Sequence, residues 1–242
     1  MAYPERIVPD ETGPGIVAIH LKRYDFARQF CAGAEVLDGA CGVGYGTAYL
    51  AETAGHVVGV DVSTEAIEYA RRRYAAPNVE FRVADLLELD LPDRRFGAVC
   101  SFETIEHLTD PERWIAHAAR VLRDDGVFVA STPNARETTH RPDNPHHEVE
   151  LSRADFEALL RRSFGEVELF GQRRLQTGRH RAMQRLDVLG LRKRLGFLRR
   201  ASVLLGTPPM ADATSEDLAI DREDLERATE LVAVCRRPFR AG

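Results

Sequence analysis

Cysteine and long apolar runs are scarce in this chain, and basic residues do not outnumber acidic ones. Its four cysteines, Cys31, Cys41, Cys100 and Cys235, lie far apart and form no C-x-x-C pair. That spacing argues against a disulfide framework and a Cys-type zinc site, and makes a reducing, cytoplasmic setting the expectation. No apolar stretch approaches the roughly 20 residues that span a bilayer, so no transmembrane segment is expected. The opening MAYPERIVPDETGPG is too polar for a secretory leader. Lys and Arg number 33 against 38 Asp and Glu, a net charge of −5, which argues against a protein that coats nucleic acid. What the chain does have is 44% apolar residues over 242 positions, enough to bury the core of one large domain.

Residues 1–15 hold three prolines and two glycines and read as an arm. Leu21, Tyr24, Ala27 and Phe30 then recur at helical spacing, so 1–34 is expected to be an N-terminal arm with a lid helix. A regular alternation follows. EVLDGA (35–40), VVGVDV (57–62), VEFRVAD (79–85), FGAVCSF (96–102) and GVFVASTP (126–133) read as strands. Between them TAYLAETA (47–54) reads as helix, Ser63 caps TEAIEYARRRY with Glu65 in its first turn, and Pro111 opens a helix with Trp114, Ile115, Ala118 and Leu122 on one stripe. SRAD (152–155) starts a further helix in the manner of a capping box. EVELFG (166–171) and LVAVCR (231–236) are the last strands. The alternation predicts a doubly wound α/β fold with a seven-stranded, mostly parallel sheet. Its core would span 35–171, a helical insertion 172–230, and the last strand with the tail 231–242. Ligands of such sheets sit beyond the carboxyl ends of the strands, where Asp38, Asp61 and Asp85 are expected to line one crevice.

The loop Gly42-Val-Gly44-Tyr-Gly46 admits two readings. A dinucleotide turn needs G-x-G-x-x-G to bring a helix N-terminus to the phosphates. Here the spacing is G-x-G-x-G, and the Asp38 carboxylate just upstream would repel a pyrophosphate. It suits a cationic ligand carrying an ammonium and a sulfonium. Asp61 would hold ribose hydroxyls in either case, two acceptor oxygens matching two vicinal donors.

Four segments in order, VLDGACGVG, VVGVDVS, VADLLELDLP and FGAVCSFETIEHLTDPERWIAHAARVLRDDGVFVASTPN, resemble the successive motifs of class I S-adenosylmethionine (SAM)-dependent methyltransferases. The resemblance covers about 20–170 and runs nearest to the ubiquinone-biosynthesis O-methyltransferase type and its natural-product relatives. It implies that Ala40, Gly42 and Gly44 approach the methionine part of SAM, with Asp38 beside them. It further implies that Asp61 binds the ribose, Val62 lies beside the adenine, Asp85 and Leu86 contact the adenine edge, and Phe102 borders the transfer position. Arg23 resembles the arginine that meets the SAM carboxylate. Ala40 departs from the family's D-x-G-x-G-x-G; a methyl at that position is expected to tolerate an ordinary φ.

Methyl transfer to a hydroxyl needs alignment and removal of a proton. Glu103-Thr-Ile-Glu106-His107 is the sharpest candidate: on a helix, i, i+3 and i+4 share a face, and two carboxylates with an imidazole suit Mg²⁺ or another divalent metal. The pattern is similar to the magnesium ligands of the ubiquinone O-methyltransferases and of small-RNA 3′-terminal 2′-O-methyltransferases. In the latter a second histidine completes the site, and NPHHEVEL points to His147. Without a metal, His107 or His147 would serve as general base, or pack structurally. His140 falls in a polar loop, and His20 packs near the arm.

Arg173–Arg200 holds ten Lys or Arg against one acid, Asp187, with leucines interleaved, followed by an acidic stretch from Asp212 to Glu230. The basic segment 173–205 reads as amphipathic helices. It offers a substrate cover, a docking face for an anionic partner, or a surface for self-association, unless the two stretches neutralise each other. The leading expectation is SAM-dependent methylation of a hydroxyl on a small-molecule acceptor, with a metal-assisted variant. The alternatives are N-methylation of an amino-sugar or related amine, 2′-O-methylation of an RNA 3′ end, and a non-catalytic SAM-fold subunit that binds a partner.

Overall fold

The computed structural model describes residues 7–175 and 214–240. Most of the basic segment, 176–205, therefore lies outside the described residues.

The alternation becomes one eight-stranded sheet. Strands β1 (Glu35–Gly39), β2 (His56–Asp61), β3 (Val79–Val83), β4 (Phe96–Phe102) and β5 (Leu122–Pro133) are parallel; β6 (Phe164–Arg174), β7 (Leu218–Asp221) and β8 (Glu230–Pro238) pair antiparallel. The order is β3-β2-β1-β4-β5-β8-β6-β7. Helices α1 (Pro14–Cys31), α2 (Tyr45–Ala51), α3 (Thr64–Arg73), α4 (Pro111–Val121) and α5 (Arg153–Arg161) connect and cover it. The central strands β1, β2 and β4 are buried almost throughout, as parallel strands sheathed on both faces must be. That burial is why they read as unbroken apolar runs.

Local chemistry sets the helix starts. Ser63 Oγ accepts from the Ala66 N–H at 3.2 Å, Asp110 Oδ1 from the Arg113 N–H at 3.0 Å, and Ser152 Oγ from the Asp155 N–H at 3.2 Å, each satisfying a donor the first turn leaves orphaned. Trp114 is fully buried, its Nε1–H donating to Ser101 Oγ at 3.1 Å, which fixes α4 against β4.

Three expectations need correction. The sheet has eight strands, not seven: Leu218–Asp221, placed by sequence in a helical insertion, is an edge strand pairing with Gly171–Arg174, closed by an Arg173–Asp221 ion pair at 2.8 Å. The boundary at 171/172 falls inside a strand, because β6 runs on to Arg174 and buries Gln172. The third correction concerns 103–107, expected to be helical. Only Ile105–His107 turns, as a short 3₁₀ segment, and Glu103 before it has φ +48°. The side chains of 103, 106 and 107 therefore do not share one α-helical face. Among the described residues no helix is long and apolar enough to cross a membrane.

Candidate active site

A cavity of about 520 Å³ opens beyond the carboxyl ends of β1, β2 and β4. The turn from β1 into α2 forms its floor. This turn needs left-handed backbone three times: φ is +60° at Ala40, +56° at Gly42 and +85° at Gly44. The expectation of an ordinary φ at Ala40 is overturned. An L-residue there carries a cost of about 1–2 kcal/mol, and strain of this kind gathers at functional sites.

Asp61 closes the floor. Its Oδ2 accepts the Gly42 N–H at 2.9 Å and its Oδ1 the Ser63 N–H at 2.8 Å. A carboxylate oxygen can accept more than one hydrogen bond, which suits this cavity-lining residue to a ligand's vicinal hydroxyls. Asp61, Val62, Asp85, Leu86, Phe102, Ala40 and Gly42 all line the cavity. Asp85 also caps the Leu87 N–H at 2.8 Å. Phe102 meets Tyr24 edge-on, centroids 4.8 Å apart.

Three sequence-predicted residues do not line it. Asp38 is fully buried behind the wall, accepting from Thr47 Oγ1 at 2.6 Å and the Tyr24 hydroxyl at 3.3 Å. Only two of the three strand-tip acids thus face the crevice, because the third ties β1 to α1 and α2. Burial pushes the Asp38 carboxyl up to about 7, against the opposing pull of those two hydrogen bonds. Gly44 packs against Ala70 and Phe81. Arg23 is fully buried, one residue from Tyr24. Its Nη1 donates to Gln172 Oε1 at 3.1 Å and lies 3.8 Å from Glu103 Oε1. Nε and Nη2 have no hydrogen-bond partner among the described residues. A buried guanidinium left short of acceptors is costly, and it is the kind of orphan that a ligand carboxylate satisfies.

The opposite end of the cavity holds the acid–imidazole cluster. Glu103 does not join it as expected: its Oε1 accepts from Ser131 Oγ at 2.7 Å and faces Arg23. Glu106, His107 and His147 do meet, one ligand atom from each lying within 4.8 Å of the others. Glu106 is buried and accepts from Thr132 Oγ1 at 3.1 Å. Burial, and then the neighbouring Glu103 charge, holds its carboxyl well above the usual range. His107 Nδ1 lies 2.9 Å from the His146 carbonyl. A carbonyl only accepts, so Nδ1 carries the proton and the lone pair of neutral His107 is on Nε2. The two imidazoles stand edge to face, centroids 4.9 Å apart. His20 lines the cavity as well, its imidazole pushed well below the usual histidine range by burial and then by the Arg23 charge. Among the described residues no Lys or Arg lines the cavity.

Sequence reasoning missed Tyr24, Tyr45, Gln172, Ser131 and Thr132. The one signal available was the aromatic spacing of α1.

Residues 37–130 match the methyltransferase domain family model. Over this stretch the chain is similar to class I SAM-dependent methyltransferases. A probable S-adenosylmethionine-dependent methyltransferase of Mycolicibacterium smegmatis is 41% identical over 57% of the chain and 54% of its own length. A fatty-acid O-methyltransferase of the same organism is 30% identical over 60% of the chain and 52% of its own length. The chain thus spans about half the length of these curated relatives. A solved SAM-dependent methyltransferase from Thermotoga maritima superposes with a TM-score of 0.63 at 15% identity, covering 92% of this chain and 91% of that one, a likeness of fold. SAM is the cofactor of this family. The residues present fit it: a ribose-ready Asp61 over a tight turn, and a buried Arg23 short of acceptors.

Proposed function

We propose that this protein transfers the methyl group of SAM to a hydroxyl of a small-molecule acceptor, with His107 as general base. When bound, SAM supplies an electrophilic methyl on a sulfonium. Asp61 would hold its ribose, Asp85 and Leu86 its adenine, and Arg23 its carboxylate, with the backbone of Ala40 and Gly42 beneath. His107 Nε2 accepts the acceptor's proton, and the imidazolium keeps its Nδ1–H on the His146 carbonyl. The observation that carries the reading is the His107 lone pair. With Nδ1 committed, Nε2 has no hydrogen-bond partner among the described residues, on a residue that lines the same cavity as Asp61 and Asp85.

The acidic lining supports a neutral or cationic acceptor over a phosphate or carboxylate. That weighs against an RNA 3′ end. It also weighs against a free carboxylate acceptor, which needs no base in any case. A metal-assisted variant keeps Glu106, His107 and His147 and loses Glu103. As they stand these residues do not fit an ion well. Both His147 nitrogens already have partners, Glu150 Oε1 at 2.8 Å and Asn144 Nδ2 at 3.0 Å. We route no step through a metal.

The test begins with calorimetry using SAM and S-adenosylhomocysteine; a purely partner-binding subunit would bind neither. Labelled SAM is then offered to a panel of neutral hydroxyl and amine acceptors, with EDTA and Mg²⁺ arms. His107→Ala should lower kcat for a hydroxyl by about 10²–10⁴-fold. A mild effect confined to amine acceptors would favour N-methylation. Full activity of His107→Ala on a hydroxyl would remove the base.

A further inference from the structure

We infer that Asn144 is a positioning residue that sets the tautomer of His107, acting through the peptide between His146 and His147. The inference rests on His107 being the base, but its geometry stands by itself. The Asn144 backbone carbonyl accepts the His147 N–H at 3.2 Å. That N–H belongs to the same planar peptide as the His146 carbonyl, and in a trans peptide the two point in opposite directions. Holding the N–H therefore aims the carbonyl, and it is aimed at His107 Nδ1.

The Asn144 side chain makes the arrangement unambiguous. One of its terminal atoms lies 3.0 Å from the His146 N–H. An N–H only donates, so that atom is Oδ1, and the amide nitrogen is the one facing His147 Nε2 at 3.0 Å. An amide N–H requires an acceptor, so His147 Nε2 is unprotonated. The proton of neutral His147 is then on Nδ1, donated to Glu150 at 2.8 Å. Asn144 thus holds three groups of one loop: the N–H of His146, the N–H of His147 and the ring of His147. Together these fix both the carbonyl that orients His107 and the ring that stacks edge-on against it. Neither imidazole is left to choose its tautomer.

The test reads tautomers directly and needs no acceptor. Protein labelled with ¹⁵N-histidine is examined by long-range ¹H–¹⁵N correlation at a pH where both imidazoles are neutral, with EDTA present. Wild type should show His107 protonated only at Nδ1. Asn144→Ala keeps the backbone carbonyl that meets the His147 N–H but loses the side-chain contacts to the His146 N–H and the His147 ring that hold this peptide in place, so it should populate both tautomers of His107, with its melting curve showing a cooperative fold. Asn144→Asp keeps the acceptor for the His146 N–H and loses the donor to His147, so His107 should stay protonated at Nδ1 while the His147 signals move. Where a hydroxyl acceptor has been found, Asn144→Ala should lower kcat about tenfold or more with KM little changed. A His107 that keeps Nδ1–H in Asn144→Ala, or that carries Nε2–H in wild type, overturns the inference. If Asn144→Ala does not fold, Asn144→Asp decides it: a tautomer change at His107 there overturns it as well. A protein that shows the tautomer shift yet methylates no hydroxyl would refute the catalytic reading and leave the positioning role standing.

Discussion

Three neighbouring positions in the turn between β1 and α2 make a graded test of how the cofactor floor is built. All three have left-handed φ, yet they differ in side chain and in surroundings. Ala40 carries a methyl at φ +60°. Replacing it with glycine removes a steric cost of about 1–2 kcal/mol and adds about 0.5–1 kcal/mol of unfolded-chain entropy. Ala40→Gly should therefore stabilise by about 0.5–1 kcal/mol, a rise in Tm of roughly 1–4 °C for a chain of this size. Gly42 has φ +56°, and a Cβ there would meet nothing within 4 Å. Gly42→Ala should cost the backbone term of about 1–2 kcal/mol less the same 0.5–1 kcal/mol of unfolded-chain entropy, a net loss of about 0.5–1 kcal/mol. Gly44 has φ +85°, and a Cβ there would lie 2.7 Å from both Ala70 Cβ and Phe81 Cε1. Gly44→Ala adds overpacking of about 1–3 kcal/mol to the backbone cost. Ala48→Gly, inside α2, is the control with the opposite sign, costing about 1 kcal/mol. Urea and thermal denaturation of the four variants read the series. If Ala40→Gly is neutral or destabilising, or if Gly44→Ala costs no more than Gly42→Ala, the account of this turn is wrong.

Asp38 gives a pH prediction. Burial raises its folded-state carboxyl from 3.8 to about 7, so between those values the folded state holds a proton that the unfolded state has released. Stability on this account is full below about pH 4 and falls by about 1.4 kcal/mol per pH unit up to about 7. Asp38→Asn should remove that slope while still accepting from Thr47 and Tyr24; urea denaturation at pH 5 and 8 gives the difference, and parallel pH profiles for the two proteins would count against it. Gln172 is, among the described residues, the sole hydrogen-bond acceptor of buried Arg23 and also donates to the Ile19 carbonyl at 2.8 Å. Gln172→Ala should cost about 2–3 kcal/mol and Gln172→Glu much less; a loss in Gln172→Ala below about 1 kcal/mol in denaturant would show that Arg23 finds other support.

What was legible in the chain is what is settled within a few residues. Ser63, Asp110 and Ser152 each cap the helix that follows by bonding an N–H three positions on, so a local pattern suffices to place α3, α4 and α5. The apolar runs ending at Asp61 and Phe102 mark strands buried on both faces, and the strand tips mark the cavity. What escaped is what depends on distant partners. LAID at 218–221 sits among acids and looks helical; it is a strand only because the free edge of β6 is there to pair with it. Glu103 looked like one of a set of ligands because E-x-x-E-H was read on an α-helix, and no local signal announces the φ of +48° that turns it toward Ser131 and Arg23. Gln172 reaches Arg23 across 149 residues, and the His146 carbonyl reaches His107 across 39. The two groups on which the proposed chemistry rests, an arginine short of acceptors and an imidazole with a directed lone pair, were named from the sequence as residues, but their states follow from contacts that no spacing encodes. On the proposed reading, the motif locates where a proton would be taken, and the loop from Asn144 to Glu150 determines which nitrogen would take it.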